Sequence, residues 1–143
     1  MIIPQESSKR LRRYILDLIH PGDIVIDVGA YHGFYTLFAS RVVGEEGYVV
    51  AFEPHLLNFG ILALNISLNS VYNVEAIKVA LRTKNEDGKL YIHEASPRHS
   101  IIYRRQRYIP IKIRKLDDMI KELGFENIPI SKNVDKKTSK ERN

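Results

Sequence analysis

The stretch VIDVGAYHG, residues Val25 to Gly33, decides how this chain is read. A nearly unbroken run of β-branched residues carries a carboxylate, Asp27, and two glycines follow within the next six residues, Gly29 and Gly33. Continuity of apolar residues, rather than alternation, predicts a strand buried on both faces, as in a parallel sheet. Glycine lets the backbone turn sharply and approach a ligand with no Cβ in the way. In open α/β sheets, ligands sit beyond the C-terminal ends of the strands, where this turn would lie. Asp27 can accept hydrogen bonds from turn amides or from a ligand ammonium group.

Working outward, Leu11, Tyr14, Ile15, Leu18 and Ile19 repeat at helical spacing before the stretch, with Ser7 or Ser8 as expected N-cap. Pro21-Gly22 ends that helix. After Gly33, Phe34 to Val43 predicts a second helix closed by Gly44. Tyr48 to Phe52 predicts a second strand, and Pro54 is expected to open a third helix at its first turn. Leu57, Ile61, Leu64 and Leu68 fall along one side of it. Val74 to Ala80 predicts a third strand. The order α-β-α-β-α-β is that of a doubly wound α/β sheet. Leu90 to His93 and Ile109 to Ile113 then read as a strand pair, and Leu116 to Leu123 as a short helix closed by Gly124.

Bulk properties bound the function. At 143 residues the chain is one domain's worth, with 44% hydrophobic and 27% charged residues, the balance of an ordinary globular protein. No apolar run approaches the roughly 20 residues that span a bilayer. There is no cysteine, hence no disulfide framework and no thiolate metal site, and the expected setting is the cytoplasm. No metal site is expected. The net charge of +5 is concentrated at the end. Lys132, Lys136, Lys137, Lys140 and Arg142 outnumber Asp135 and Glu141. Residues 1–130 are therefore read as a single partial domain and 131–143 as a basic polar tail expected to be disordered.

A second acid completes the candidate site. Glu53 stands at the tip of the second predicted strand, 26 residues after Asp27 and just before Pro54. An acid there is a common grip on ribose hydroxyls. Ala30 and Tyr31 stand where a dinucleotide fold would place compact glycines, which argues against a pyrophosphate held in the turn. A nucleoside carrying an amino-acid moiety fits better, and an NAD-dependent enzyme is disfavoured.

The segments PGDIVIDVGAYHGFYTLFAS and VVAFEPHLLNFGILALNISLN, with VEAIKVAL, KLYIH and IPIKIRKLDDMIKELG, resemble the class I S-adenosylmethionine-dependent methyltransferases, and the FkbM family in particular. The likeness covers residues 15 to 128. It implies a Rossmann-like three-layer sandwich, S-adenosylmethionine as cofactor, and methyl transfer to an unidentified acceptor, O-methylation being one option. By position, the resemblance gives Asp27, Gly29, Ala30, Tyr31 and Gly33 to the methionine part, Glu53 to the ribose, and Ala80 to the border of the adenine.

The match fails after about residue 128. Such proteins continue into a fourth parallel strand ending in an acidic motif, whereas here NIPISKNVDKKTSKERN follows. The expectation is an incomplete sheet of three parallel strands plus the added pair, from a frame-shifted or truncated reading frame in preference to a genuine short form. The strand Ile24–Val28 would then lack one neighbour, and an open hydrophobic edge predicts a homodimer or larger oligomer that covers it.

No general base is identified. His93, Glu94 and His99 read as solvated, His32 as either a ligand contact or a loop residue bonding backbone, and His55 as surface. The competing function is a non-catalytic oligomerising remnant or a nucleic-acid-binding module, since Tyr103 to Tyr108 interleaves aromatic and basic residues. A solvated loop is the preferred reading of that segment, so nucleic acid is disfavoured.

Overall fold

The computed structural model describes residues 5–92, 107–127 and 133–134. Its elements are α1 (Gln5–Leu18), β1 (Ile24–Val28), α2 (Phe34–Val43), β2 (Tyr48–Phe52), α3 (Leu56–Leu68), β3 (Val74–Ile77), β4 (Ala80–Leu81), β5 (Glu86–Ile92), β6 (Arg107–Arg114), α4 (Leu116–Glu122) and β7 (Asn133–Val134). The central sheet has the order β3-β2-β1-β7, and β1 pairs in parallel with β2 from Ile24↔Tyr48 to Val28↔Phe52. A second sheet has the order β4-β6-β5.

The continuous apolar runs of β1 and β2 do what such runs require, because both faces of the sheet are covered. Val25, Val49 and Ala51 point to one face. There Ile15 of α1, Ile19 just after it, Ala39 and Val43 of α2, and Leu62 of α3 pack on them. Ile26, Val50 and Phe52 point to the other face, against Met119, Leu116 and Ile120 of α4. This is a three-layer α/β/α arrangement, with the layers assigned by the alternation of neighbouring strand residues.

Side-chain amides tie the layers at their ends. Asn73 Nδ2 donates to the carbonyls of Ser40 (3.0 Å) and Gly44 (2.8 Å), closing the C-terminus of α2 just before β3 begins. Its Oδ1 accepts from the Ser40 hydroxyl at 2.9 Å. Gly22, at φ 84°, donates to the Val43 carbonyl at 2.8 Å and so joins the turn after α1 to the same corner.

Several expectations are corrected. Helix α1 begins at Gln5, so Ser7 and Ser8 lie inside it and not at its cap. Pro54 does not open α3; His55 is the N-cap, in extended conformation, with its Nδ1 accepting from the Asn58 amide. The sequence left open which way α3 faces: the side bearing Leu57, Ile61, Leu64 and Leu68 is toward solvent, while Leu62, Phe59 and Ile66 face the sheet. Strand β3 stops at Ile77, and Ala80 opens β4 in the second sheet, pairing with Ile113. The edge of β1 is not bare either: β7 pairs in parallel at Ile26↔Asn133 and Asp27↔Val134. The tail's remaining residues, and His93, Glu94, His99 and Tyr103 to Gln106, lie outside the described residues.

Strand β6 runs antiparallel to β5 from Arg107 to Ile113, in place of the shorter expected pair. Pro110 sits in its middle, where β4 does not reach, since β4 pairs only with Ile113 and Arg114. A proline, which has no N–H to give, is tolerated on that open side.

Candidate functional site

The tips of β1 and β2 are joined through the backbone. Gly29 and Ala30 both donate to the Phe52 carbonyl, at 2.9 and 3.0 Å, so the turn after β1 is folded across the end of β2. The chain then reverses between Ala30 and Gly33, closed by Gly33 N–H to the Ala30 carbonyl at 2.9 Å. Gly29 (φ 72°) and Gly33 (φ 89°) take the left-handed conformations that glycine permits, and a Cβ at Gly33 would stand 2.5 Å from Leu62 Cδ1. Two different demands are met: Gly29 leaves open space, and Gly33 allows α3 to approach.

Tyr31 lies between them at φ 57°, left-handed without being glycine. Such a residue is strained by about 1–2 kcal/mol, and strain of this kind concentrates at functional sites. The residue is 48% exposed, and its ring stacks on that of His32 at 3.8 Å between centroids. The His32 carbonyl accepts from Asn65 Nδ2 of α3 at 2.8 Å, which anchors the turn from behind.

Glu53 is the centre of the arrangement. It is 6% exposed, and its Oε2 accepts from the Tyr31 amide at 2.8 Å while its Oε1 accepts from the His55 amide at 2.9 Å. The one carboxylate therefore binds the turn after β1 to the start of α3. Each carboxylate oxygen has two acceptor positions, so capacity remains for hydroxyl donors from a ligand. The Glu53 amide donates to the Ile77 carbonyl at 3.1 Å, bringing the tip of β3 to the same crevice.

Asp27 is also buried, at 3% exposed, but its Oδ2 is turned toward α2 and accepts from the Thr36 hydroxyl at 2.7 Å. It fixes the first turn of α2 to β1. That helix has Gly33 as its N-cap, with no capping side chain and no acidic residue in its first turn, and a helix N-terminus of this kind favours an anionic group.

Of the residues expected from sequence, the structure thus gathers Gly29, Ala30, Tyr31, Gly33 and Glu53 at adjacent strand tips, with Asp27 one layer deeper. Ala80 is not among them; the end of β3 is Ile77. The reading from sequence missed Thr36, Asn65 and the His55 amide. Asn65 stood inside a quoted pattern, and Thr36 lies nine residues after Asp27, but neither spacing announces a hydrogen bond across elements. Among the described residues, no group of three or more His, Asp or Glu side chains could hold a metal ion. No described helix is long and apolar enough to cross a membrane.

Comparison with known proteins adds the family. The methyltransferase FkbM domain matches residues 27–130. Ribosomal protein L11 methyltransferase of Caldanaerobacter subterraneus subsp. tengcongensis is 32% identical over 84 residues, covering 59% of this chain and 26% of its own length. Similar solved structures include a SAM dependent methyltransferase from Aquifex aeolicus, 30% identical with a TM-score of 0.43 over 51% of this chain and 37% of its own. An rRNA methylase from Streptococcus thermophilus is 20% identical with a TM-score of 0.46, covering 56% and 42%. The chain thus spans about a quarter of the curated relative it matches.

Proposed function

The chain belongs to the methyltransferase FkbM domain family, and from that premise we propose that it binds S-adenosylmethionine in the crevice over β1 and β2 and serves methyl transfer to an acceptor. The observation that carries this reading is the Glu53 carboxylate meeting the Tyr31 amide at 2.8 Å, which sets an acid and a bare turn side by side at two strand tips.

The residues present fit such a group. Glu53 has acceptor positions left for the two ribose hydroxyls. The uncapped first turn of α2 suits the carboxylate of the methionine part, and the space beside Gly29 leaves room for its chain. Asp27, held to Thr36, positions that helix end rather than reaching the ligand through Oδ2. The adenine border is assigned to Ile77 and Lys78 at the end of β3, in place of Ala80. When bound, the cofactor supplies a sulfonium methyl that passes to a nucleophile and leaves a neutral thioether.

What this chain would contribute is placement: the Glu53 carboxylate and the turn after β1 would hold the nucleoside, and methyl transfer depends on proximity and in-line approach of the acceptor. A hydroxyl acceptor would also need a base to take its proton, and the acceptor's identity is left to experiment. Calorimetry with S-adenosylhomocysteine tests the reading. Binding heat with the chain as it stands, lost in Glu53→Ala and kept in Lys112→Ala on the remote hairpin, is the expected pattern. Equal heat from all three proteins would overturn the site.

A further inference from the structure

Residues Pro54 to Val74 contain no Asp, Glu, Lys or Arg, the longest such stretch in a chain of which 27% is charged. Helix α3 occupies most of it. A helix on the surface of a globular protein ordinarily turns charged side chains to water, and α3 has none to turn. Its outer side instead presents Leu57, 70% exposed, Ile61, Leu64 and Leu68, with Leu56 and Tyr72 also exposed at its two ends. The first four are spaced four, three and four residues apart, the a/d seam of paired helices. Gly60, Ala63 and Ser67 run beside the seam as exposed small residues, and nothing lies within 4 Å of a Cβ at Gly60. Another helix could approach closely there.

We infer that this face is the interface between two copies of the chain, α3 lying antiparallel against α3 across a twofold axis. Charge selects the occupant. The net positive charge of each copy is concentrated after residue 131, and Pro54 to Val74 is the longest charge-free segment, so two copies meeting through α3 set no like charges opposite each other. An acidic or basic partner would find no complement on α3. An anionic membrane surface is bound by helices with Lys or Arg on the polar face, which α3 lacks. Grouped along one side of a single helix, the exposed apolar side chains reach the order of the ~300–600 Å² that marks an interaction patch. An antiparallel twofold arrangement is self-complementary: it sets Leu57 opposite the partner's Leu68 and Ile61 opposite the partner's Leu64, with Ala63 next to the axis. The dimer expected through the edge of β1 is thereby moved, because β7 occupies that edge at Ile26 and Asp27.

Sedimentation equilibrium of the full chain over a range of concentrations tests this. The wild type should dimerise, and Leu64→Glu should weaken association at least tenfold with unchanged far-ultraviolet circular dichroism, since Leu64 is 56% exposed. The chain has no cysteine, so a single introduced thiol gives a second, independent readout. Ala63→Cys should form a disulfide-linked dimer under mild oxidation far faster than Leu16→Cys, an exposed site on α1. A monomer at every concentration, a dimer untouched by Leu64→Glu, equal cross-linking at both sites, or a monomer that co-sediments with phosphatidylcholine vesicles would each overturn the inference.

Discussion

Beside the central sheet, whose Val25, Ile26, Val49, Val50, Ala51 and Phe52 are all at most 3% exposed, the β4-β6-β5 sheet is thinly covered: Ile113 is its one buried residue. The first is held by packing on both faces. The outer face of the second is laced by cross-strand pairs, with Tyr91 edge-on to Tyr108 at 6.1 Å and the Lys89 ammonium 4.3 Å from the Tyr108 ring. Lys112 meets Asp87 at 2.6 Å, both side chains largely exposed. Burial scales with apolar area removed from water, whereas exposed pairs of this kind contribute little. The candidate site stands on the sheet that is rigid for the first reason.

That contrast can be broken experimentally, and the largest effect belongs to the central sheet. Phe52→Ala, removing the largest fully buried side chain, should cost about 3–5 kcal/mol of unfolding free energy, measured by urea denaturation. Gly33→Ala should cost about 1–3 kcal/mol through the left-handed φ and the contact with Leu62, and should also abolish binding of S-adenosylhomocysteine by displacing the turn. Tyr31→Gly separates stability from binding. Relief of the strained φ and the added freedom of glycine nearly cancel, so the melting point should move by less than the equivalent of ~1 kcal/mol, while affinity falls.

On the second sheet, Lys112→Ala should change stability by about 1 kcal/mol or less. The smallest effect is a pH dependence. Asn85 Nδ2 donates to Asp118 Oδ2 at 2.5 Å and, with nearby Lys115, Lys121 and Arg114, holds that carboxyl below its ordinary value of 3.8. A depressed folded value means the contribution is fully present above 3.8 and fades as pH falls through the folded value. Amide protection of α4 should therefore weaken only in acid, and Asn85→Ala should reduce that dependence, leaving the part due to the three basic neighbours. Uniform loss across both sheets in these experiments would contradict the division between them.

Much of this was legible in the chain itself, for a physical reason. The runs Ile24–Val28 and Tyr48–Phe52 are apolar at successive positions because both faces are buried, and Gly29 and Gly33 stand out because left-handed backbone excludes most other residues. Glu53 was legible as an acid at a strand tip, but its use by two backbone amides was not, since those partners come from separate turns. The orientation of α3 was hidden because apolar residues occupy both its sides. Periodicity finds a face only when the opposite one is polar, and from Leu57 or Leu62 alone nothing says which is outward. Ala80 was misplaced because Val74 to Ala80 carries no glycine or proline to mark a break, while the chain leaves the sheet after Ile77 and starts β4 at Ala80.

The central claim is that one ligand is clasped between the turn after β1 and the acid after β2. Amide hydrogen exchange with and without S-adenosylhomocysteine tests it most directly. The account predicts new protection confined to residues 29–35, 53–55 and 77–78, with the β5–β6 hairpin unchanged. Protection appearing on that hairpin instead, or none at Tyr31 under saturating ligand, would contradict it.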